Sequence, residues 1–173
     1  MIKEKHGVIV VGGGIMGICA AYWLAQRGKQ VVVLEAGDIP NRHSASGDHL
    51  RVFRLAYGPD AFYTDMAAKT MPLWLDLNAQ TGDNILQQNG VLQLATTTHG
   101  FEAQSFKTLK DLKLPVKRLE KDEIRQHYPM LNTRAIKYAV FHPGGGIRWA
   151  AKAVGALASL AQRRGAKVRP QTR

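Results

Sequence analysis

Residues 8–35 read VIVVGGGIMGICAAYWLAQRGKQVVVLE. An apolar run, Val8-Ile9-Val10-Val11, meets Gly12-x-Gly14-x-x-Gly17. An apolar helical pattern follows, then a second β-branched run, Val31-Val32-Val33-Leu34, closed by Glu35. A strand, a glycine turn, a helix and a second strand in this order are the signature of a dinucleotide-binding βαβ unit.

Each position has a physical reason. Gly12 makes the tight turn off the first strand. Gly14 lets bare backbone approach a pyrophosphate, and Gly17 lets the helix pack close to the sheet. The helix begins near Ile15 and Met16 and aims free N–H groups and its positive dipole end at an anion. Glu35, followed by Ala36, stands where a carboxylate accepts from ribose hydroxyls and repels a 2′-phosphate, so FAD or NAD is favoured over NADP. Two other readings of the stretch exist. One is a glycine-rich turn in some other α/β protein. The other is a signal or membrane segment, because Lys3 and Lys5 precede an uncharged run over residues 7–25. Three glycines at turn spacing argue against that span, and the sequence predicts no membrane segment.

The length of 173 residues suits one domain of ordinary size. A single cysteine, Cys19, excludes internal disulfides and a cysteine-rich metal site. It falls in the first helix as a small packing residue, and a reducing, cytoplasmic setting is expected. Net charge is +11. That charge would suit an anionic partner such as nucleic acid, a basic solvated face, or one half of a protein whose other half is more acidic. The basic residues are scattered apart from the C-terminal stretch beginning at Arg163, and no nucleic-acid motif accompanies them. A nucleic-acid partner is therefore not expected.

Residues 37–47, GDIPNRHSASG, form a polar loop off the second strand. Arg51 and Arg54 follow, three apart, and would share a face if their segment is helical. Paired guanidiniums suit a carboxylate or the electron-rich part of a cofactor, although two surface arginines would read the same way. Residues 59–79 predict a helix with Phe62, Met66, Leu73, Trp74 and Leu77 as its core stripe. Residues 85–88 and 91–95 predict a hairpin closed at Asn89-Gly90. Further helices are expected over 101–112, 121–127 and 149–164, and strands over 115–119, 136–141 and from Lys167. Residues 142–146, HPGGG, read as a turn.

The residues also resemble a known family, the FAD-dependent amine oxidases of the D-amino acid oxidase class, and within it the monomeric sarcosine and N-methyltryptophan oxidases. The resemblance lies in GGGIMGICAAYWLAQRG, in SASGDHLRVFRLAYG and in FHPGGGIRWAAKAVGALASLAQRRGAKV. The second segment is the specific one. Its register around Gly47 is shifted by one from the family's usual His-His-Gly-Asp-Thr-Arg, which leaves substrate choice open.

The resemblance implies an α/β protein: a Rossmann-like FAD-binding domain, residues 1–40 and 145–173, interrupted by a mixed α+β substrate domain beginning over residues 41–144. It covers only the N-terminal part of the family, so the flavin domain is expected to be incomplete and the strand from Lys167 to lack onward neighbours. Gly12, Gly14, Ile15, Met16 and Gly17 would hold the FAD pyrophosphate, Glu35 and Ala36 the adenosine ribose, and Ser46 would also reach the cofactor. Arg51 would lie beside the flavin and Arg54 would bind the substrate carboxylate. The implied reaction is hydride transfer from a secondary amine or N-methyl amino acid to flavin, with reoxidation by oxygen to hydrogen peroxide. Family members that bind flavin covalently do so through a cysteine that Cys19, inside the first helix, does not match. Two further readings stay open. The chain is a non-catalytic remnant or a nucleotide-binding subunit that needs a missing C-terminal half or partner chain, or it is an NAD-binding enzyme.

Overall fold

In the computed structural model, which describes residues 7–172, β1 (Val8–Val11), α1 (Ile15–Gln26) and β2 (Val31–Leu34) form as the sequence predicts. Ile18, Ala21, Tyr22 and Ala25 of α1 are buried at spacings of three and four, one apolar face of a helix. The helix stops at Gly28, whose φ of 72° lets the chain reverse. β1 and β2 pair in parallel with Val8 opposite Val31 and Val11 opposite Leu34.

The sheet gains its third strand from the far end of the sequence. α5 (Ala150–Arg163) leads into β9 (Lys167–Arg169), which lies parallel to β2 with Val168 opposite Val33. The strand order is β1-β2-β9. α5 buries Ala153, Val154, Leu157, Ala158, Leu160 and Ala161 and packs against α1. Its small residues let the two helices approach closely. β1 is an edge strand among the described residues, and its Ile9 and Val11 are 60% and 85% exposed.

The chain divides into two compact units. One takes in the chain up to Arg51, Gln80–Ile85, and the chain from Arg148; the other is Val52–Ala79 with Leu86–Ile147. The second unit contains α3 (Phe101–Asp111), α4 (Lys121–His127) and an antiparallel sheet of β5 (Val91–Ala95), β7 (Tyr138–His142) and β6 (Lys117–Glu120), in the order β5-β7-β6. Its main core gathers Phe53, Leu55, Ala56, Leu86 and Leu109. A third small sheet has the order β3 (Leu50–Phe53), β8 (Gly146–Trp149), β4 (Leu86–Gln87).

Four expectations are corrected. The hairpin at Asn89-Gly90 does not form, because β4 and β5 belong to different sheets. β5 finds a five-residue partner in β7, and the Gly90 N–H donates to Gly145 O. The segment bearing Arg51 is strand, not helix, so spacing by three no longer puts Arg51 and Arg54 on one face. The residues read as the end of a turn and the start of a helix include β8, with Trp149 capping α5. Finally, α2 (Ala61–Thr81) leaves Phe62, Met66 and Leu73 exposed. The face it buries runs through Thr64, Ala67, Ala68, Met71 and Trp74, a helical series made inconspicuous by its small residues. Lys3 and Lys5 lie outside the described residues, and no described helix is long and apolar enough to cross a membrane.

Candidate functional site

The turn after β1 is bare backbone. Gly12 has φ of 100°, a conformation that side chains disfavour, and its N–H donates to Leu34 O at 2.8 Å. A Cβ on Gly17 would stand 1.9 Å from Gly12 O and 3.2 Å from Val10 Cγ1. The first turn of α1 therefore rests directly on the glycine turn.

Gly14 is the N-cap of α1 and has no side chain to satisfy the helix. Ser46 supplies that function from 31 residues away: its Oγ accepts the Ile15 N–H at 3.0 Å. Ser44 Oγ lies 3.5 Å from the same hydroxyl. Met16 is 83% exposed, and the first turn contains no acidic side chain. The dipole end of α1 is thus free of a competing carboxylate on the helix itself.

Glu35 ends β2 beside this turn. Its Oε2 accepts from Gly13 N–H at 2.6 Å, and its Oε1 accepts from Gly37 N–H at 2.9 Å and Asn41 Nδ2 at 3.1 Å. The Gly13 and Gly37 amides, with smaller help from Asn41, hold the carboxyl below the usual carboxylate range. Ala36 follows, exposed.

The loop over residues 37–47 folds around Asn41. The Asn41 Oδ1 accepts from His43 N–H at 2.9 Å, and its carbonyl oxygen accepts from Ser44 Oγ at 2.8 Å. Arg51 closes onto the end of the loop, donating to Ala45 O at 2.8 Å and pairing with Asp48. Direct bonds thus join Glu35 to the glycine turn and Ser46 to the start of α1, and Arg51 holds the same loop.

Arg54 belongs to the other unit. Its guanidinium lies 5.0 Å from the Tyr57 ring centroid and 5.9 Å from that of Phe101. The adjoining Gly58 is anchored to α3, accepting through its carbonyl from Thr108 Oγ1 and donating its N–H to Ser105 Oγ. Sequence reasoning missed Asn41, Tyr57 and Phe101. Asn41 carried a signal, an Asn after Pro with Ser three residues on, which is turn chemistry. Phe101 carried none, because its role depends on a contact across 47 positions of sequence.

The site fits a dinucleotide. The cradle is one that side chains would fill, it faces a helix N-terminus, and an ionised carboxylate stands at the end of the next strand. Among the described residues no cluster of His, Cys, Asp or Glu could hold a metal ion.

The chain is similar to several known proteins. The chain is 34% identical to monomeric sarcosine oxidase of Bacillus sp. over 99% of its own length, and 29% identical to N-methyl-L-tryptophan oxidase of Yersinia pestis over 82%. These alignments span 44% and 38% of the two relatives, so the chain covers less than half of their length. Among solved structures, L-proline dehydrogenase from P. horikoshii superposes with a TM-score of 0.85 at 26% identity, over 98% of this chain and 45% of that one. Glycine oxidase from Geobacillus kaustophilus gives 0.82 at 25% identity, over 98% and 47%. Residues 7–173 match the family described as DAO, FAD dependent oxidoreductase, and with its mixed α/β fold the chain belongs to that family.

Proposed function

We propose that this chain carries the FAD-binding portion of an oxidoreductase that oxidises a secondary amine or N-methyl amino acid. The observation that carries the reading is the joined cradle, in which Ser46 caps the helix behind Gly14 and Glu35 is fastened to Gly13. Gly12, Gly14 and Gly17 leave room for the pyrophosphate, which the Met16 amide at the start of α1 meets, while the neighbouring Ile15 amide is held by Ser46. Glu35 and Ala36 meet the adenosine ribose, and Ser46 also reaches the cofactor. The unit containing β1, β2 and β9 is the FAD-binding domain, and the unit containing β5, β6 and β7 is the first part of a substrate domain inserted into it.

When bound, FAD would supply the redox chemistry: hydride acceptance from the carbon beside the amine nitrogen and reoxidation by oxygen to peroxide. The two arginines bind and orient, since a guanidinium stays protonated and is no acid–base catalyst. Arg51, tied back by Ala45 and Asp48, places fixed positive charge beside the flavin. Arg54 binds the substrate carboxylate. Its guanidinium carbon sits over the Tyr57 and Phe101 rings, a contact that leaves the guanidinium N–H groups able to bond an acid.

A second reading is favoured by the exposed Ile9 and Val11 on β1, an edge strand among the described residues. In it the chain is a nucleotide-binding portion that requires a further polypeptide for turnover. Desalting the purified chain after incubation with FAD and recording its visible spectrum tests the common premise. Peroxide assays with sarcosine, N-methyltryptophan and proline then separate the readings. A retained flavin spectrum with turnover supports the first. A retained spectrum without turnover supports the second. A colourless chain overturns both.

A further inference from the structure

The Glu35 carboxylate has about four acceptor positions, two on each oxygen. Oε1 already takes two donors, Gly37 N–H and Asn41 Nδ2, and Oε2 takes one, Gly13 N–H. One acceptor position, on Oε2, is left for a ligand. A ribose presents two neighbouring hydroxyls, so Glu35 by itself can satisfy only one of them. The Asn41 amide lies against the same carboxylate. One Nδ2 hydrogen goes to Glu35 and the second remains to donate. Oδ1 accepts from His43 N–H and keeps a second lone pair. The amide cannot be turned round, because Oδ1 against the carboxylate would set acceptor against acceptor.

We propose that Asn41 is the second half of a vicinal-diol grip, in which one ribose hydroxyl donates to Glu35 Oε2 and its neighbour is met by the Asn41 amide. The inference rests on the reading of this unit as a nucleotide site and adds a specificity-determining residue to it. The same bond makes Asn41 a positioning residue for Glu35. It fixes the carboxylate rotamer and ties it to the loop that delivers Ser46 to the start of α1. A 2′-phosphate meets a carboxylate that the backbone amides keep ionised, while an unmodified diol meets one acceptor and one amide.

The test is equilibrium binding of ADP, 2′-deoxy-ADP and 3′-deoxy-ADP to the wild-type chain and to Asn41→Ala, by calorimetry. The wild type is expected to bind ADP about tenfold more tightly than each deoxy form, the loss of about one hydrogen bond to a charged or fixed polar group. In Asn41→Ala the ratio at one hydroxyl is expected to fall to about one, while the ratio at the other survives on Glu35. A purely structural role for Asn41 would weaken all three ligands equally and leave both ratios intact, and that result overturns the inference alone. Equal binding of all three ligands by the wild type also overturns it alone. No binding of ADP by the wild type overturns both the inference and the nucleotide reading. If Asn41→Ala does not fold, Asn41→Leu carries the same comparison. It is close to Asn in size and shape, has no donor or acceptor, and is expected to lose the same ratio.

Discussion

Glu35 and His142 show how differently two ionisable side chains sit in this chain. Glu35 keeps its charge because backbone amides point at it. Its pKa lies below the ordinary value of about 4.3, so its contribution to stability is fully present above that pH and is lost as pH falls through the folded value. Glu35→Gln would turn a side-chain N–H toward a backbone N–H. We expect a loss of about 2 kcal/mol, read as a fall in Tm, together with weaker FAD binding. His142 is wholly buried, and neither ring nitrogen has a partner. Burial pushes its pKa down to about 4 from an ordinary 6.5. The unfolded chain therefore binds the proton more readily. Stability is full above the unfolded pKa of about 6.5 and declines by up to about 3 kcal/mol as pH falls toward 4. His142→Leu removes no hydrogen bond from the ring, and denaturant titrations from pH 7 to pH 4 should show a flatter profile for that variant.

Elements held by a single crowded contact are the sensitive ones. Gly17→Ala would drive a methyl into Gly12 O, placed 1.9 Å from the new carbon, and must displace backbone on one side. We expect a cost of about 3 kcal/mol and loss of nucleotide binding, measured by thermal denaturation and FAD titration. Met16→Ala, one residue earlier and exposed, should stay within about 0.5 kcal/mol in the same assay. β4 depends on α2 in a comparable way. The Asn78 amide donates to Leu86 O and accepts from Leu86 N–H, so one side chain serves both backbone groups of a strand residue. Asn78→Ala would leave those two groups unpaired at a buried position and should cost about 2 kcal/mol in a denaturant titration. This pair was not legible in the sequence. The dipeptide Asn89-Gly90 argued locally for a hairpin, while a longer strand forty-odd positions away offered β5 a better ladder.

For the molecule as a whole, net charge and ligand linkage set the observable behaviour. A net charge of +11 on 173 residues is self-repelling, so added salt should raise Tm through screening. FAD at about a hundred times its Kd should stabilise the chain by about 2.7 kcal/mol, visible as a Tm that climbs with FAD concentration. A Tm indifferent to FAD would argue against the cofactor reading without any assay of turnover.

The sequence by itself determined the βαβ unit to the residue, because every cue there is local: β-branched runs, turn glycines, one helical stripe and a terminal carboxylate within residues 8–35. It also carried the family, through motifs that are contiguous. Tertiary structure alone decided which strand pairs with which, since β5 takes its ladder bonds from β7, distant in sequence, and not from the adjacent β4. It decided the buried face of α2, where Ala67, Ala68, Met71 and Trp74 pack on the core and Phe62, Met66 and Leu73 stay exposed. It also revealed that Glu35 reaches the turn already bonded to Gly13, Gly37 and Asn41. A motif names the residue types at a site. How many of their donors and acceptors remain for a ligand depends on which are used within the fold.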